Sequence, residues 1–246
     1  GRAPREGEVM RYPALARTLR LIAEKGRDGF YAGEVAEEIV ATLKARGGLL
    51  TLEDFAETRT DWVEPISLSF AGVELLEIPP NGSGLTALIA LNILKQFDMA
   101  KYGARSVERY HLQIEAMKLA WVLRNRHIAE RAAMTVAPEE LLSDKTAAEL
   151  AALIDMKRAV VSPENRIPMP GSDTVYLTVV DRKGMAVSFI NSIYWAFGSG
   201  IVTPETCIAL QNRGANFVTD PGHPNCIGPG KRPLHTIIPA MVRANG

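Results

Sequence analysis

The sequence has little cysteine, no net charge and no long hydrophobic run. Its 246 residues include only Cys207 and Cys226, too few for a disulfide framework, so we expect two free thiols, although a single pairing stays open. Lys and Arg together number 28, as do Asp and Glu, which leaves no electrostatic case for binding nucleic acid or an anionic membrane. A hydrophobic content of 47% argues against intrinsic disorder.

Two isolated cysteines and four histidines offer too few ligands for a zinc site, so no metal is expected. The most apolar stretch, residues 84–94, is too short to span a bilayer, so no membrane partner is expected. The first residues lack the apolar segment of a signal peptide. The chain also begins without Met, and the compartment, cytoplasm or periplasm, stays open.

Apolar residues at helical spacing dominate the first half, and strand-like alternation dominates the second. Helices are predicted at about residues 13–25, 30–46, 51–55, 85–97, 106–130 and 146–155. Hairpins are predicted from residues 62–70 with 73–78 and from 174–181 with 185–192, with further strands at 208–210 and 237–242. Residues 156–172 are rich in proline and polar residues and are predicted to be a linker. Helices followed by strands indicate an α+β fold class.

Thr174 stands where the loop that ends in Asp173 gives way to a predicted strand. Such a threonine can be an ordinary strand residue, or a nucleophile if the chain is cut before it. The freed α-amine would have a pKa of roughly 7.7–8.0 and could deprotonate the Thr174 hydroxyl without a histidine. Both interpretations stay open on the residues alone.

Other polar positions have both an ordinary and a functional interpretation. Glu115 and Lys118 form an i,i+3 pair on a predicted helix and are expected on the surface. Residues 81–84 precede a helix and could cap it or bind an anion. Residues 197–200 form either a tight turn or a ligand-contacting loop, and residues 228–236 either a solvated loop or part of a site.

Several segments, in order, resemble the γ-glutamyltranspeptidase family of N-terminal-nucleophile (Ntn) hydrolases, and in particular its lidless, cephalosporin-acylase-like branch. The segments that carry the resemblance are RYPALARTLRLIAEKGRDGFYAGEVAEEIVATLKARGGLLTLEDF, IPPNGSGLTALIALNIL, HLQIEAMKLAW, DTVYLTVVDRKGMAVSFINSIYWAFGSGIV and GPGKRPLHTIIPAMV. The resemblance implies an αββα sandwich and autocatalytic cleavage. Residues 1–173 would be the C-terminal part of a mostly helical large subunit, and 174–246 the N-terminal part of a β-rich small subunit, together one domain.

The resemblance makes Thr174 the catalytic nucleophile and places the cleavage between Asp173 and Thr174. Ser192 takes the place of a family threonine whose hydroxyl hydrogen-bonds the nucleophile. The positions that bind the γ-glutamyl group in the family fall on Tyr194, Arg213, Asn216, His235 and Thr236. Asn216 replaces a carboxylate that meets the α-ammonium group, which should weaken glutamyl recognition, and Arg213 could hold an acidic group instead.

The loop after Phe217 is short, so the lid of many family members is expected to be absent and hydrolysis to be favoured over transpeptidation. The expected function is therefore hydrolysis of γ-glutamyl or related acyl amides, such as glutathione-like substrates, without a cofactor. The partners would be that small molecule and the two subunits of one precursor. The alternative is an unprocessed, non-catalytic family member that binds a ligand or partner.

Family members extend beyond this sequence at both ends. The arginine that grips the substrate carboxylate would precede residue 1, and the Gly-Gly of the oxyanion hole would follow residue 246. The 246 residues alone are therefore expected to be inactive.

Overall fold

The computed structural model describes residues 2–160 and 174–244 of the chain. Asp173 and residues 161–172 of the linker predicted at 156–172 lie outside the described residues. The chain divides into two compact units, one formed by Gly1–Trp62 with Phe197–Gln211 and the other by Val63–Ala196 with Asn212–Gly246. The predicted division at 173/174 concerns covalent subunits, and it stays a prediction.

The helices of the described residues include a counterpart for each predicted helix, and a further short helix at residues 138–141 was not predicted. They are α1 (Pro13–Lys25), α2 (Asp28–Tyr31), α3 (Gly33–Lys44), α4 (Leu52–Glu57), α5 (Gly84–Leu94), α6 (Val107–His127), α7 (Pro138–Leu141) and α8 (Asp144–Ala151). The region predicted as one helix over 30–46 is two, because the backbone of Ala32 is extended. Thr51 and Asp54 form the reciprocal hydrogen bonds of a capping box at the start of α4.

The first unit contains α1 to α4 together with a turn near residue 205. The Glu38 carboxylate on α3 accepts the Thr206 backbone N–H at 2.9 Å, and the Thr18 hydroxyl on α1 donates to the Thr206 carbonyl at 3.0 Å. The strand predicted at 208–210 is wrong: only an isolated bridge joins Val202 to Ala209. The backbone pairing around this bridge consists of the Thr203 N–H donating to the Ile208 carbonyl at 3.0 Å and the Leu210 N–H donating to the Ile201 carbonyl at 2.9 Å.

The second unit holds the strands, which form two antiparallel sheets among the described residues. They are β1 (Ile66–Phe70), β2 (Val73–Glu77), β3 (Thr174–Val180), β4 (Ala186–Ser192) and β5 (Met241–Arg243), in the orders β1-β2-β5 and β3-β4. Both predicted hairpins are confirmed. The final strand is shorter than predicted and pairs with β2.

The core of the second unit forms where α5 packs against α6. Its fully buried residues include Leu85, Ile89, Ile93, Leu112 and Ala116. The face of α6 that carries Tyr110, Ile114, Met117 and Trp121 is the exposed one in the described chain.

Within the described residues, no helix combines the length and the apolar character needed to cross a membrane. Cys207 and Cys226 are both free thiols, as expected.

Candidate active site

The register of one hairpin brings two predicted site residues together. Strands β3 and β4 pair antiparallel, and Thr174 lies directly opposite Ser192 at their open end. The Thr174 hydroxyl donates to Ser192 Oγ at 3.1 Å. A slip of one residue would turn Ser192 to the other face of the hairpin and remove this contact.

The tight turn between the strands fixes that register. The Asp181 carboxylate accepts the backbone N–H groups of Lys183 and Met185 at 2.8 and 2.9 Å. Gly184 closes the turn at φ 83°, in the left-handed region that glycine adopts without a steric penalty. The turn at the far end of the hairpin thus determines which hydroxyl faces Thr174.

Just beyond β4 the backbone leaves the strand in a strained conformation. Tyr194 has φ 81°, and its backbone N–H donates to Ser192 Oγ at 2.9 Å. The side chain of Tyr194 is buried, at 5% exposure. Left-handed backbone at a bulky residue costs about 1–3 kcal/mol and is typical of functional sites.

Arg213 packs on Tyr194 and reaches a second predicted residue. Its guanidinium carbon lies 4.5 Å from the Tyr194 ring centroid, a cation–π arrangement. Arg213 Nη1 donates to Thr236 Oγ1 at 2.7 Å. The residue is 5% exposed, and this burial lowers the pKa of its guanidinium.

The segment with His235 and Thr236 is held by the loop before α5. The His235 backbone N–H donates to the Asn81 carbonyl at 2.8 Å, and the Ser83 hydroxyl donates to the His235 carbonyl at 2.9 Å. Asn81 Nδ2 donates to the Pro233 carbonyl at 2.6 Å. Ser83 occupies the N-cap position of α5, as the cap interpretation of this loop expects, but its side chain makes no cap hydrogen bond to the helix.

Asn216 also has a structural partner. Its Nδ2 donates to the Leu234 carbonyl at 2.9 Å, and its own carbonyl accepts from Asn225 Nδ2 at 2.6 Å. A carboxylate at this position could not donate to Leu234. Asn216 therefore supports the segment that contains Leu234 through the amide donor that a carboxylate lacks.

His235 is neutral at physiological pH in this setting. Burial, and next the nearby Arg213 charge, lower the pKa of His235 to about 4. Its Nδ1 accepts the Ile237 backbone N–H at 3.4 Å, which places the proton of the neutral ring on Nε2. His235 is thus an uncharged hydrogen-bond donor beside a fixed cation.

Sequence reasoning missed the partners of two residues in this region and did not identify a third residue, Arg124. Asn81 and Ser83 were singled out, but their partners lie 152 residues away in sequence. Arg124 on α6 interacts electrostatically with Tyr194. Its Nε is buried and has no hydrogen-bond partner among the described residues. No spacing pattern links Arg124 to Tyr194.

The structure corrects the predicted position of Glu115. It is 1% exposed, so the expectation of a surface pair with Lys118 is wrong. The i,i+3 spacing predicts the contact, and the contact is present at 2.6 Å, but spacing does not tell which face of a helix is covered.

Comparison with known proteins identifies the family of this chain. The family model described as gamma-glutamyltranspeptidase matches residues 1–246. The chain belongs to the gamma-glutamyltranspeptidase family. Two curated relatives are the glutathione hydrolase-like YwrD proenzyme of Bacillus subtilis, 40% identical over 246 residues, and the oxamate amidohydrolase proenzyme of Klebsiella pneumoniae, 42% identical over 245 residues.

A solved structure, the cephalosporin acylase from Bacillus halodurans, superposes with a TM-score of 0.90 at 50% identity, covering 99% of this chain and 44% of that one. The expected fold class is thereby confirmed as that of the Ntn-hydrolase family. Each of the two curated relatives is matched over 100% of this chain and 46% of its own length. The chain thus spans about half the length of the curated relatives it matches. The roles of Thr174, Ser192 and the substrate-binding positions stay predictions.

Proposed function

We propose that the protein is a self-processed amidohydrolase in which Thr174 is the N-terminal nucleophile. The observation that carries the proposal is the 3.1 Å hydrogen bond from the Thr174 hydroxyl to Ser192 Oγ. The hydroxyl lies at the exposed start of β3, where a substrate carbonyl could approach it. Ser192 orients that hydroxyl, and its own Oγ is positioned by the Tyr194 backbone N–H.

Processing would release the second catalytic group. Thr174 Oγ1 attacks the carbonyl carbon of the 173–174 peptide bond, an ester bond forms as the C–N bond breaks, and the hydroxyl proton passes to the departing nitrogen. Water then hydrolyses the ester, which leaves a carboxylate on Asp173 and a free α-amine on Thr174. That amine has a pKa near working pH and can serve as the general base.

Turnover would repeat this chemistry on an external amide. The Thr174 amine takes the proton from Oγ1, which attacks the substrate carbonyl, and the amine product leaves with that proton. The acyl group is then carried on Thr174 as an ester. Water, deprotonated by the same amine, attacks the ester and releases the acid.

The charges near Thr236 favour an acyl group that carries a carboxylate. Arg213 is a buried cation fixed by Tyr194 and Thr236, and His235 beside it is a neutral donor. Asn216 contributes no negative charge that could hold an α-ammonium group. We therefore propose γ-glutamyl and related acyl amides as substrates. We expect amides whose acyl group lacks the α-amino group to be hydrolysed at least as well as γ-glutamyl amides.

Hydrolysis rather than transfer is supported by the compact loop after Phe217. The Val218 backbone N–H donates to the Asn225 carbonyl at 3.1 Å, and the Ile227 N–H donates back to the Val218 carbonyl at 3.0 Å. A loop closed on itself at this length offers little cover for an acyl-enzyme, which leaves the ester open to water.

The test compares three anilides with purified full-length protein. γ-Glutamyl, glutaryl and butyryl p-nitroanilides differ only in the α-amino and carboxylate groups of the acyl part. We expect kcat/KM to be about 10-fold or more higher for glutaryl than for butyryl, since a charge-assisted hydrogen bond is worth about 1.5–3 kcal/mol.

Added glycylglycine should leave the acid as the main product if hydrolysis is favoured. Equal rates for the glutaryl and butyryl compounds would contradict the proposed substrate class. Binding of the anilides without any turnover would favour the non-catalytic alternative.

A further inference from the structure

Asn225 lies where three segments of the candidate site region meet. It is 3% exposed and lies outside every helix and strand. Its backbone N–H donates to His223 Nδ1 at 3.0 Å, and its backbone carbonyl accepts the Val218 N–H at 3.1 Å. Both backbone groups of this buried residue are therefore paired, which leaves its side chain to bond elsewhere.

The side-chain amide of Asn225 joins two neighbouring segments. Its Nδ2 donates to the Asn216 carbonyl at 2.6 Å, and its Oδ1 accepts the Leu234 N–H at 3.0 Å. The opposite orientation of the amide would bring donor against donor and acceptor against acceptor, so the two partners determine its orientation. A buried amide that is paired at both ends holds the two backbone segments at a set separation.

Each of these segments carries one half of the Arg213–Thr236 contact. Asn216 ends the 3-10 turn that begins at Arg213, and Leu234 precedes Thr236 by two residues. Arg213 Nη1 donates to Thr236 Oγ1 at 2.7 Å. The Asn225 amide is thus a second bridge between the two segments that hold the buried cation.

His223 connects this arrangement to α6. Its Nε2 donates to the Asn125 backbone carbonyl at 2.6 Å, near the C-terminal end of that helix. Its Nδ1 accepts the Asn225 N–H, so a neutral ring with its proton on Nε2 serves both partners. A helix that packs in the core of this unit therefore supports Asn225 through one histidine.

We propose that Asn225 is a positioning residue for substrate selection, whose amide holds the Arg213 and Thr236 segments at the separation that lets the Arg213 guanidinium meet a carboxylate on the acyl group. The inference rests on the proposed function. A cation favours a charged substrate most when its position is fixed before binding, because ordering it afterwards reduces affinity. Asn225 is buried and would take no part in bond breaking.

The first experiment compares Asn225→Ala with wild type on glutaryl and butyryl p-nitroanilides, using purified full-length protein. The ratio of the two kcat/KM values measures selection for the carboxylate and does not depend on the fraction of active enzyme. We expect the ratio to fall about fivefold, mostly through a higher KM for the glutaryl compound, because Arg213 is less firmly held.

Asn125→Ala is the matched control for this variant. It removes an exposed asparagine side chain from α6 but keeps the backbone carbonyl that accepts from His223. The ratio of the glutaryl to the butyryl kcat/KM should therefore stay at the wild-type value.

A double-mutant cycle separates positioning of Arg213 from general support of the region. In an Arg213→Gln background there is no cation to position, so Asn225→Ala should change the ratio by less than about twofold. Two effects that multiply in the double variant would show that Asn225 acts independently of Arg213 and would overturn the inference.

A second variant keeps the inference testable if Asn225→Ala does not fold. His223→Ala removes the acceptor of the Asn225 N–H at a partly exposed position. It should lower the ratio by about two- to threefold, and this effect should also disappear in the Arg213→Gln background. A wild-type ratio in each of these variants that folds overturns the inference.

The outcomes also separate the two proposals. A wild-type protein that hydrolyses both anilides equally, or neither, overturns the proposed function and this inference with it. A wild-type preference for the glutaryl compound that Asn225→Ala and His223→Ala both retain overturns the inference alone.

Discussion

Thr174 and Ser192 face each other at the open end of an antiparallel hairpin, with their hydroxyl oxygens 3.1 Å apart. The pairing depends on the Asp181 turn at the far end of the hairpin, which fixes the register along seven residue pairs. Local turn chemistry thus places a hydroxyl partner beside the proposed nucleophile.

Removing the Ser192 hydroxyl should impair the nucleophile without unfolding the hairpin. We expect Ser192→Ala to lower the rate of cleavage and kcat by about 10- to 100-fold, because the Thr174 hydroxyl loses its orienting partner. Ser192→Thr keeps the hydroxyl and should stay within severalfold of wild type. Intact mass over time measures the rate of cleavage, and anilide turnover measures kcat. Equal behaviour of the alanine and threonine variants would refute a role for this hydrogen bond.

Changing Arg213 should alter substrate preference more than turnover. Arg213→Gln removes the buried cation, so KM for a glutaryl anilide should rise about 10-fold or more while KM for a butyryl anilide changes little. Arg213→Lys keeps the charge but loses the planar contact with Tyr194. Its KM for the glutaryl anilide should fall between those of wild type and Arg213→Gln. Steady-state kinetics on both anilides measures the difference. A parallel rise in both KM values would mean that Arg213 only supports the fold of the pocket.

Glu77 gives the protein a pH-dependent stability of known sign. It is 3% exposed, its Oε2 has no hydrogen-bond partner among the described residues, and burial raises the pKa of its carboxyl to about 7. The folded state therefore holds a proton that the unfolded state, with a pKa near 4.5, has lost. The contribution of Glu77 to the free energy of unfolding is present below about pH 4.5 and falls as pH rises towards about 7.

Glu77→Gln should remove that pH dependence. The free energy of unfolding of the variant relative to wild type should rise by up to about 3 kcal/mol between pH 4.5 and 7.5, measured by urea denaturation of the full-length protein. Glu64→Gln, at an exposed glutamate, is the control and should follow wild type. Parallel curves for wild type and Glu77→Gln would show that the carboxyl titrates normally.

Local patterns in the sequence predicted the hairpins and most helices well. The alternation on both sides of Arg182-Lys183-Gly184 led to the correct partners for β3 and β4, since turn and strand signals agree there. The strand predicted near Ile208 failed because a short apolar run does not determine whether a partner strand exists.

The supports of the candidate site could not be predicted in the same way. Asn81 and Ser83 hold the His235 segment across 152 residues of sequence, and such contacts leave no periodic signal. Glu115 was expected on the surface because its spacing to Lys118 is that of an ordinary exposed pair. Glu115 is instead buried, and its Oε2 accepts the Val160 backbone N–H, a contact that no side-chain pattern encodes.

The most direct test of the central claim is the denaturing intact mass of the purified full-length protein and of its Thr174→Ala variant. The account predicts two fragments that meet between Asp173 and Thr174 in wild type and one uncut chain in the variant. An uncut chain in both would remove the α-amine that serves as base and contradict the assignment of Thr174 as the nucleophile.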